Sequence, residues 1–152
     1  MVLKKFQDSI TRFAFGKEKP VFVDSFYACM DKLIDGTEKE MKDYSNKVLI
    51  VTNVASSPEE ILKFVEKFDA KDRLVFFEKA HVNGKNAREV FGYLKQELQT
   101  EGSDSNDIRW NFAKFLIGPD GKPVKRFAPT ESPLSFKSNI EELLKQVKKS
   151  ED

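Results

Sequence analysis

The sequence predicts an α/β sandwich built on a mixed sheet, and three observations lead there. The run Lys47-Val48-Leu49-Ile50-Val51-Thr52-Asn53-Val54-Ala55 is β-branched and almost continuously apolar, which suits a central strand covered on both faces. Stretches after Ser57, after Asn86 and after Ser135 carry apolar residues at helical spacing. Phe112 to Ile117 and Val124 to Ala128 read as two strands, joined by Gly118-Pro119-Asp120-Gly121-Lys122-Pro123, which is nearly all turn formers. At 152 residues there is room for one domain with a real core, and 14 Phe supply its bulk.

The elements follow in order. Residues 1–20 are read as an extension in which Leu3, Phe6, Ile10 and Phe13 mark one stripe of a short helix. Asp8 and Gln7 break the apolar core that a secretory signal needs. A helix packed on the domain is one reading of this stretch, and a weak organelle-targeting or surface-binding helix is the other. Residues 21–150 are assigned to the domain. Val21 to Met30 is apolar and aromatic enough for a strand, and Asp35-Gly36 signals a reversal into a second one. After the central strand, Ser57 is placed to cap a helix. Pro58 fits its first position, Glu59 and Glu60 favour its positive end, and Ile61, Leu62, Phe64, Val65 and Phe68 form its face. Leu74 to Phe77 is a short strand candidate. A helix from about Asn86 follows, with Glu89 placed for a capping box and a stripe of Ala87, Val90, Phe91, Leu94 and Leu98. The last helix, from about Ser135 to Lys149, buries Phe136, Ile140, Leu143, Leu144 and Val147.

Composition narrows the function classes. The chain is 39% hydrophobic and 34% charged, with a formal net charge of +1, so it has no basic excess for nucleic acid. A single cysteine, Cys29, excludes an intramolecular disulfide and any multi-cysteine metal site. With one histidine, His81, a metal site or a Cys–His nucleophile pair would have to use both lone residues. No metal and no cofactor are expected. No apolar run approaches a membrane span, and the cytoplasm is the expected compartment.

Four segments together resemble the glutathione peroxidase family. The first is the central strand ending in Asn53-Val54-Ala55-Ser56, and the second is Phe77-Glu78-Lys79-Ala80-His81-Val82-Asn83-Gly84, close to the family's FEKVDVNG. The third is Trp110-Asn111-Phe112-Ala113-Lys114-Phe115-Leu116-Ile117, similar to WNFxKFL(I/V). The fourth runs from Asp120 through Arg126-Phe127-Ala128-Pro129 to Ser132-Pro133. The resemblance spans about Phe22 to Leu144. It implies a thioredoxin-like mixed sheet flanked by helices, with glutathione or thioredoxin as reductant, a hydroperoxide as substrate, and a role in the oxidative stress response.

The resemblance also has a gap. In the family, Asn-Val-Ala-Ser is followed by one residue and then by the peroxidatic cysteine or selenocysteine. A helix, a strand and a segment with a catalytic glutamine come next. Here Ser56 is followed by Ser57-Pro58-Glu59-Glu60-Ile61, which already resembles the family's later helix. A block of a few dozen residues between Ser56 and Glu59 is therefore expected to be missing, and with it one helix and one outer strand. Of the family's Cys/Sec, Gln, Trp and Asn constellation, only the equivalents of Trp110 and Asn111 are present. Glu66 falls where thioredoxin-dependent members have a resolving cysteine.

Neither remaining group can attack a peroxide, since an indole N–H only donates and an amide is not a nucleophile here. The chain is expected to be a catalytically inactive relative. One rival reading is a non-catalytic module that pairs through a bared sheet edge, and the other is a weak peroxidase that has recruited Cys29. Cys29 otherwise reads as a small buried hydrophobe and His81 as a surface-loop histidine. Without its outer strand, Lys47 to Ala55 becomes an edge too apolar for one, which predicts reduced stability, self-association or a partner.

Overall fold

The computed structural model describes residues 23–70, 73–100 and 105–149. The stretch 1–20 read as an extension lies outside them.

Its centre is a three-stranded sheet of β3 (Leu49–Thr52), β4 (Lys114–Ile117) and β5 (Pro123–Phe127), in the order β3-β4-β5. Both pairings are antiparallel, with Val51 opposite Phe115 and Phe115 opposite Arg126. β4 is buried along its whole length because it has a strand on each side and a core on each face. Phe115 and Ile117 point into the larger core, with Phe26, Cys29, Met41, Val90, Tyr93 and Leu94. Leu116 points the other way, into a smaller core with Phe127, Phe136 and Leu143, where the rings of Phe127 and Phe136 stack at 4.0 Å.

A two-stranded ribbon, β1 (Met30–Lys32) and β2 (Glu38–Glu40), precedes the sheet, with Asp31 opposite Lys39. Its reversal is the expected one: Gly36 takes φ +86° and the Asp35 carboxylate accepts from Thr37 N–H at 2.9 Å. The β4–β5 connection is equally local, with Gly118 N–H donating to the Lys122 carbonyl at 2.9 Å. Gly121 is required there on two counts. It has φ +78°, and a Cβ would sit 2.6 Å from the Tyr27 ring, whose hydroxyl donates to the Pro119 carbonyl at 2.7 Å.

Among the described residues three α-helices flank these sheets: α1 (Pro58–Glu66), α2 (Glu89–Glu97) and α3 (Lys137–Lys149). The capping signals read at α1 are all used, since Ser57 Oγ accepts from Glu60 N–H and the Glu60 carboxylate accepts from Ser57 N–H. α2 packs into the larger core and α3 follows a short 3₁₀ turn at Pro133–Phe136 onto the smaller one. Between β5 and that turn, the buried Lys114 ammonium donates to the carbonyls of Ala128, Pro129 and Glu131 at 3.3, 2.9 and 2.7 Å.

Four local expectations are corrected. The described part of the Val21 to Met30 run, from Val23 on, is not a strand before Met30. Phe26–Ala28 forms a 3₁₀ turn that tucks Phe26 and Cys29 inward, and strand pairing begins only at Met30. Leu74 to Phe77 makes a single bridge, Phe77 to Leu33, against the end of the ribbon rather than a strand of its own. α2 starts at Glu89 rather than Asn86 and has no side-chain cap, since the Glu89 carboxylate reaches across to Met30 N–H at 3.0 Å instead. Leu144 remains nearly half exposed on α3. The α/β class itself holds. In the sheet, β3 stands at an edge and every pairing among the described residues is antiparallel.

Candidate functional site

The apolar β3 run ends in a polar residue, Asn53, and that residue builds the site. Its backbone carbonyl accepts from Phe112 N–H at 2.8 Å. Its side-chain carbonyl accepts from Ala113 N–H at 3.1 Å, while its amide nitrogen donates to the Trp110 carbonyl at 3.2 Å. These three bonds hold the Trp110-Asn111-Phe112 turn against the end of β3. Phe112 pays for the tightness of that turn with φ +65°, a conformation that bulky side chains rarely adopt.

A second asparagine fixes the other end of the same stretch. Asn83 donates from Nδ2 to the Ile108 carbonyl at 2.8 Å and accepts from Ile108 N–H at 2.9 Å. The fully buried Lys95 ammonium reaches the same Asn83 oxygen at 3.2 Å, so α2 braces the clamp. Arg109, Trp110 and Asn111 are thus slung between two asparagines. With Asn53, Val82 and Ile108 they line a shallow cleft of about 290 Å³. Trp110 stands 74% exposed at its rim, and Asn111 is half-buried.

Trp110 and Asn111 therefore lie together, beside the end of β3. The other residues singled out in the sequence lie apart from them. His81 is exposed in the loop before α2, and its carbonyl accepts from Arg88 N–H at 2.8 Å. Glu66 ends α1 on an exposed surface. Cys29 is fully buried in the larger core, with its sulfur 3.9 Å from the Ser25 carbonyl, and it does not line the cleft. Burial, and secondarily the carboxylates of Glu89 and Asp31, push its thiol up to about 12.

One charged cluster lies beneath this loop. Asp31 is almost buried, and burial raises its pKa against the opposing pull of the Lys32 N–H and the Arg88 guanidinium. Arg88 pairs with Asp31 at 3.2 Å and with Glu78, tying the start of α2 to the ribbon. Among the described residues, no group of three His, Cys, Asp or Glu converges to hold a metal.

The cleft can present an indole, two amides and a guanidinium to a polar ligand. The described residues that line it include no thiol. Sequence reasoning quoted Asn53 and Asn83 within motifs but gave neither a role. The available signal was an amide at the end of an apolar strand and another beside a glycine turn.

The structural comparisons first define the class. The crystal structure of Trgpx in apo form superposes with a TM-score of 0.64 at 25% identity, covering 82% of this chain and 97% of that one. The domain is therefore thioredoxin-like. No family model matches the sequence. The glutathione peroxidase homolog BsaA of Halalkalibacterium halodurans is 35% identical over 151 residues, covering 74% of this chain and 95% of its own length. A probable phospholipid hydroperoxide glutathione peroxidase of Helianthus annuus is 32% identical over 167 residues, covering 84% and 91%. The chain belongs to the glutathione peroxidase family.

Proposed function

We propose that this chain is a glutathione peroxidase-family protein that has lost the segment bearing its nucleophile and does not turn over hydroperoxides. The carrying observation is the end of β3. Asn53 binds the Trp110 carbonyl and the Ala113 N–H and so fixes the Trp110-Asn111 turn beside β3, yet Ser56 leads directly into the Ser57 cap of α1. Alignment lengths support a missing block. The match to the Halalkalibacterium protein spans 151 positions but draws on 74% of 152 residues, about 112, which leaves about 39 positions with no counterpart here. The Helianthus match spans 167 positions and draws on 84%, about 128, and leaves the same shortfall of about 39.

The chemistry needs what that block would carry. A thiolate or selenolate attacks the terminal peroxide oxygen. The O–O bond breaks, an alcohol leaves with a proton, and the chalcogen is oxidised to a sulfenic or selenenic acid. Glutathione or thioredoxin then reduces it in the family. Trp110 and Asn111 are the two members of the constellation that persist, able to donate hydrogen bonds but not electrons. Cys29 is a poor substitute, being enclosed in the core and protonated at neutral pH.

Two features accompany the reading. Among the described residues no strand pairs with the outer edge of β3, which favours a binding role over a catalytic one. A cytoplasmic setting is part of the proposal. Among the described residues no helix is long and apolar enough to cross a membrane. The test is steady-state consumption of hydrogen peroxide and of a lipid hydroperoxide, with glutathione and with thioredoxin. Rates at the level of buffer alone are expected. Turnover that vanishes in Cys29→Ala would overturn the proposal and make Cys29 the nucleophile.

A further inference from the structure

The open edge has an occupant that its own residues specify. Asn53 turns its carbonyl toward β4, and by the alternation of an antiparallel ladder Val51 and Leu49 do the same. Val48, Ile50 and Thr52 therefore turn their N–H and C=O groups outward, where no described strand meets them. Natural edges are blunted by lysine, proline, bulges or inward charges, and Leu49 to Thr52 has none of these. Ile50 in the middle of the edge is 46% exposed. Its side chain lies on the same face as its cross-strand partner Leu116, at the margin of the smaller core that also takes in Val48.

We infer that the partner is a second copy of this chain, joined β3 to β3 in antiparallel fashion about a two-fold axis at Ile50, giving one continuous six-stranded sheet. The outward-turned groups of Val48, Ile50 and Thr52 set this register, since a pairing centred on Ile50 joins those residues to one another across the axis. Pairing centred on Ile50 sets Val48 against Thr52 and Leu49 against Val51. Lys47, the one charge in the run from Lys47 to Ala55, falls opposite Asn53 rather than another lysine. The two Ile50 side chains meet across the axis and close the exposed margin of the smaller core on both copies. An isologous contact of this kind satisfies the outward groups of both edges and leaves no further edge of the same sort to propagate a fibre. The inference rests on the reading above, since a complete family member would have its own strand against β3.

The test uses the full chain. Sedimentation across a micromolar dilution series is expected to give twice the monomer mass at the upper end. Ile50→Lys, a change at a half-exposed position, is expected to hold the monomer mass throughout with an unchanged circular dichroism spectrum. In the chosen register the two Cα atoms at position 50 lie about 5.5 Å apart, within disulfide range. Mild oxidation should thus link Ile50→Cys chains into a covalent dimer and leave Thr52→Cys chains, whose register partner is Val48, unlinked. A wild-type monomer at every concentration overturns the inference, and so does a dimer indifferent to Ile50→Lys or equal linking in both cysteine variants. A stable complex only with an intact family member, none with itself, overturns it in favour of a strand supplied in trans. Peroxide turnover is measured on the same samples. A dimer that consumes peroxide sinks the inactivity reading and not the pairing, whereas an inactive monomer sinks the pairing alone.

Discussion

α1 and α2 are both nine residues long, and they invert the usual relation between local signal and burial. α1 has a complete capping box, proline at its first turn and two acids at its positive end. Yet Phe64 on its apolar face and Phe68 just past its end are 60% and 66% exposed, and Val65 is its one buried residue. α2 has no side-chain cap, and still buries Val90, Tyr93, Leu94 and Lys95. Local signals set where a helix starts, and its tertiary partners set whether it is held. α1 has the amphipathic face of a packed helix, and among the described residues that face lacks the cover its composition calls for.

The contrast can be broken at four points. Leu94→Ala on α2 should cost about 3 kcal/mol, read as a lowered midpoint in urea, because a fully enclosed leucine leaves a cavity. Ser57→Ala should cost about 1 kcal/mol of α1 stability, seen as faster amide exchange within that helix and little change in the global midpoint. Phe64→Ser should move the global midpoint by no more than about 0.5 kcal/mol, since its ring is already in water. A loss near that of Leu94→Ala would show that α1 is packed after all.

The fourth point is Cys29, and its effect appears only in alkali. Its folded thiol is raised to about 12 from an ordinary 9.0, so the folded chain holds that proton more tightly than the unfolded chain does. The contribution is therefore fully present below about pH 9 and is lost as pH rises toward 12. Iodoacetamide at neutral pH should leave Cys29 unmodified in the native protein and label it once urea unfolds the chain.

Much of this layout was legible in the sequence wherever a single residue type has one structural use. Asp35-Gly36, the Gly118–Pro123 connection and Ser57-Pro58 all form what their chemistry dictates. The misreadings share a cause, since each depended on a distant neighbour. Val21 to Met30 has strand composition, but Phe26 and Cys29 must both reach one core, and a 3₁₀ turn brings them there. Leu74 to Phe77 has strand composition too, but it meets the end of the ribbon at a single bridge. Glu89 had two N–H groups within its possible reach, and the one on Met30 won. At the cleft, Trp110 and Asn111 are named through family likeness alone, whereas Asn53, Asn83 and Lys95 are given no role by it. Asn53 and Asn83 hold backbone from afar and Lys95 braces Asn83, which a motif does not display.

Lys114 gives the β5-to-α3 loop an unusual character. Three carbonyls converge on one ammonium, which has three protons to give. In coordination terms the loop is a cation site whose ion is tethered to the protein by its own side chain. A soluble ion in that place could be chelated or competed away, and the loop would then depend on the composition of the medium. This one cannot leave, so the approach of α3 to the sheet is independent of any ion the surroundings provide. Arginine would not serve, because its flat fork cannot aim at three oxygens gathered around a point.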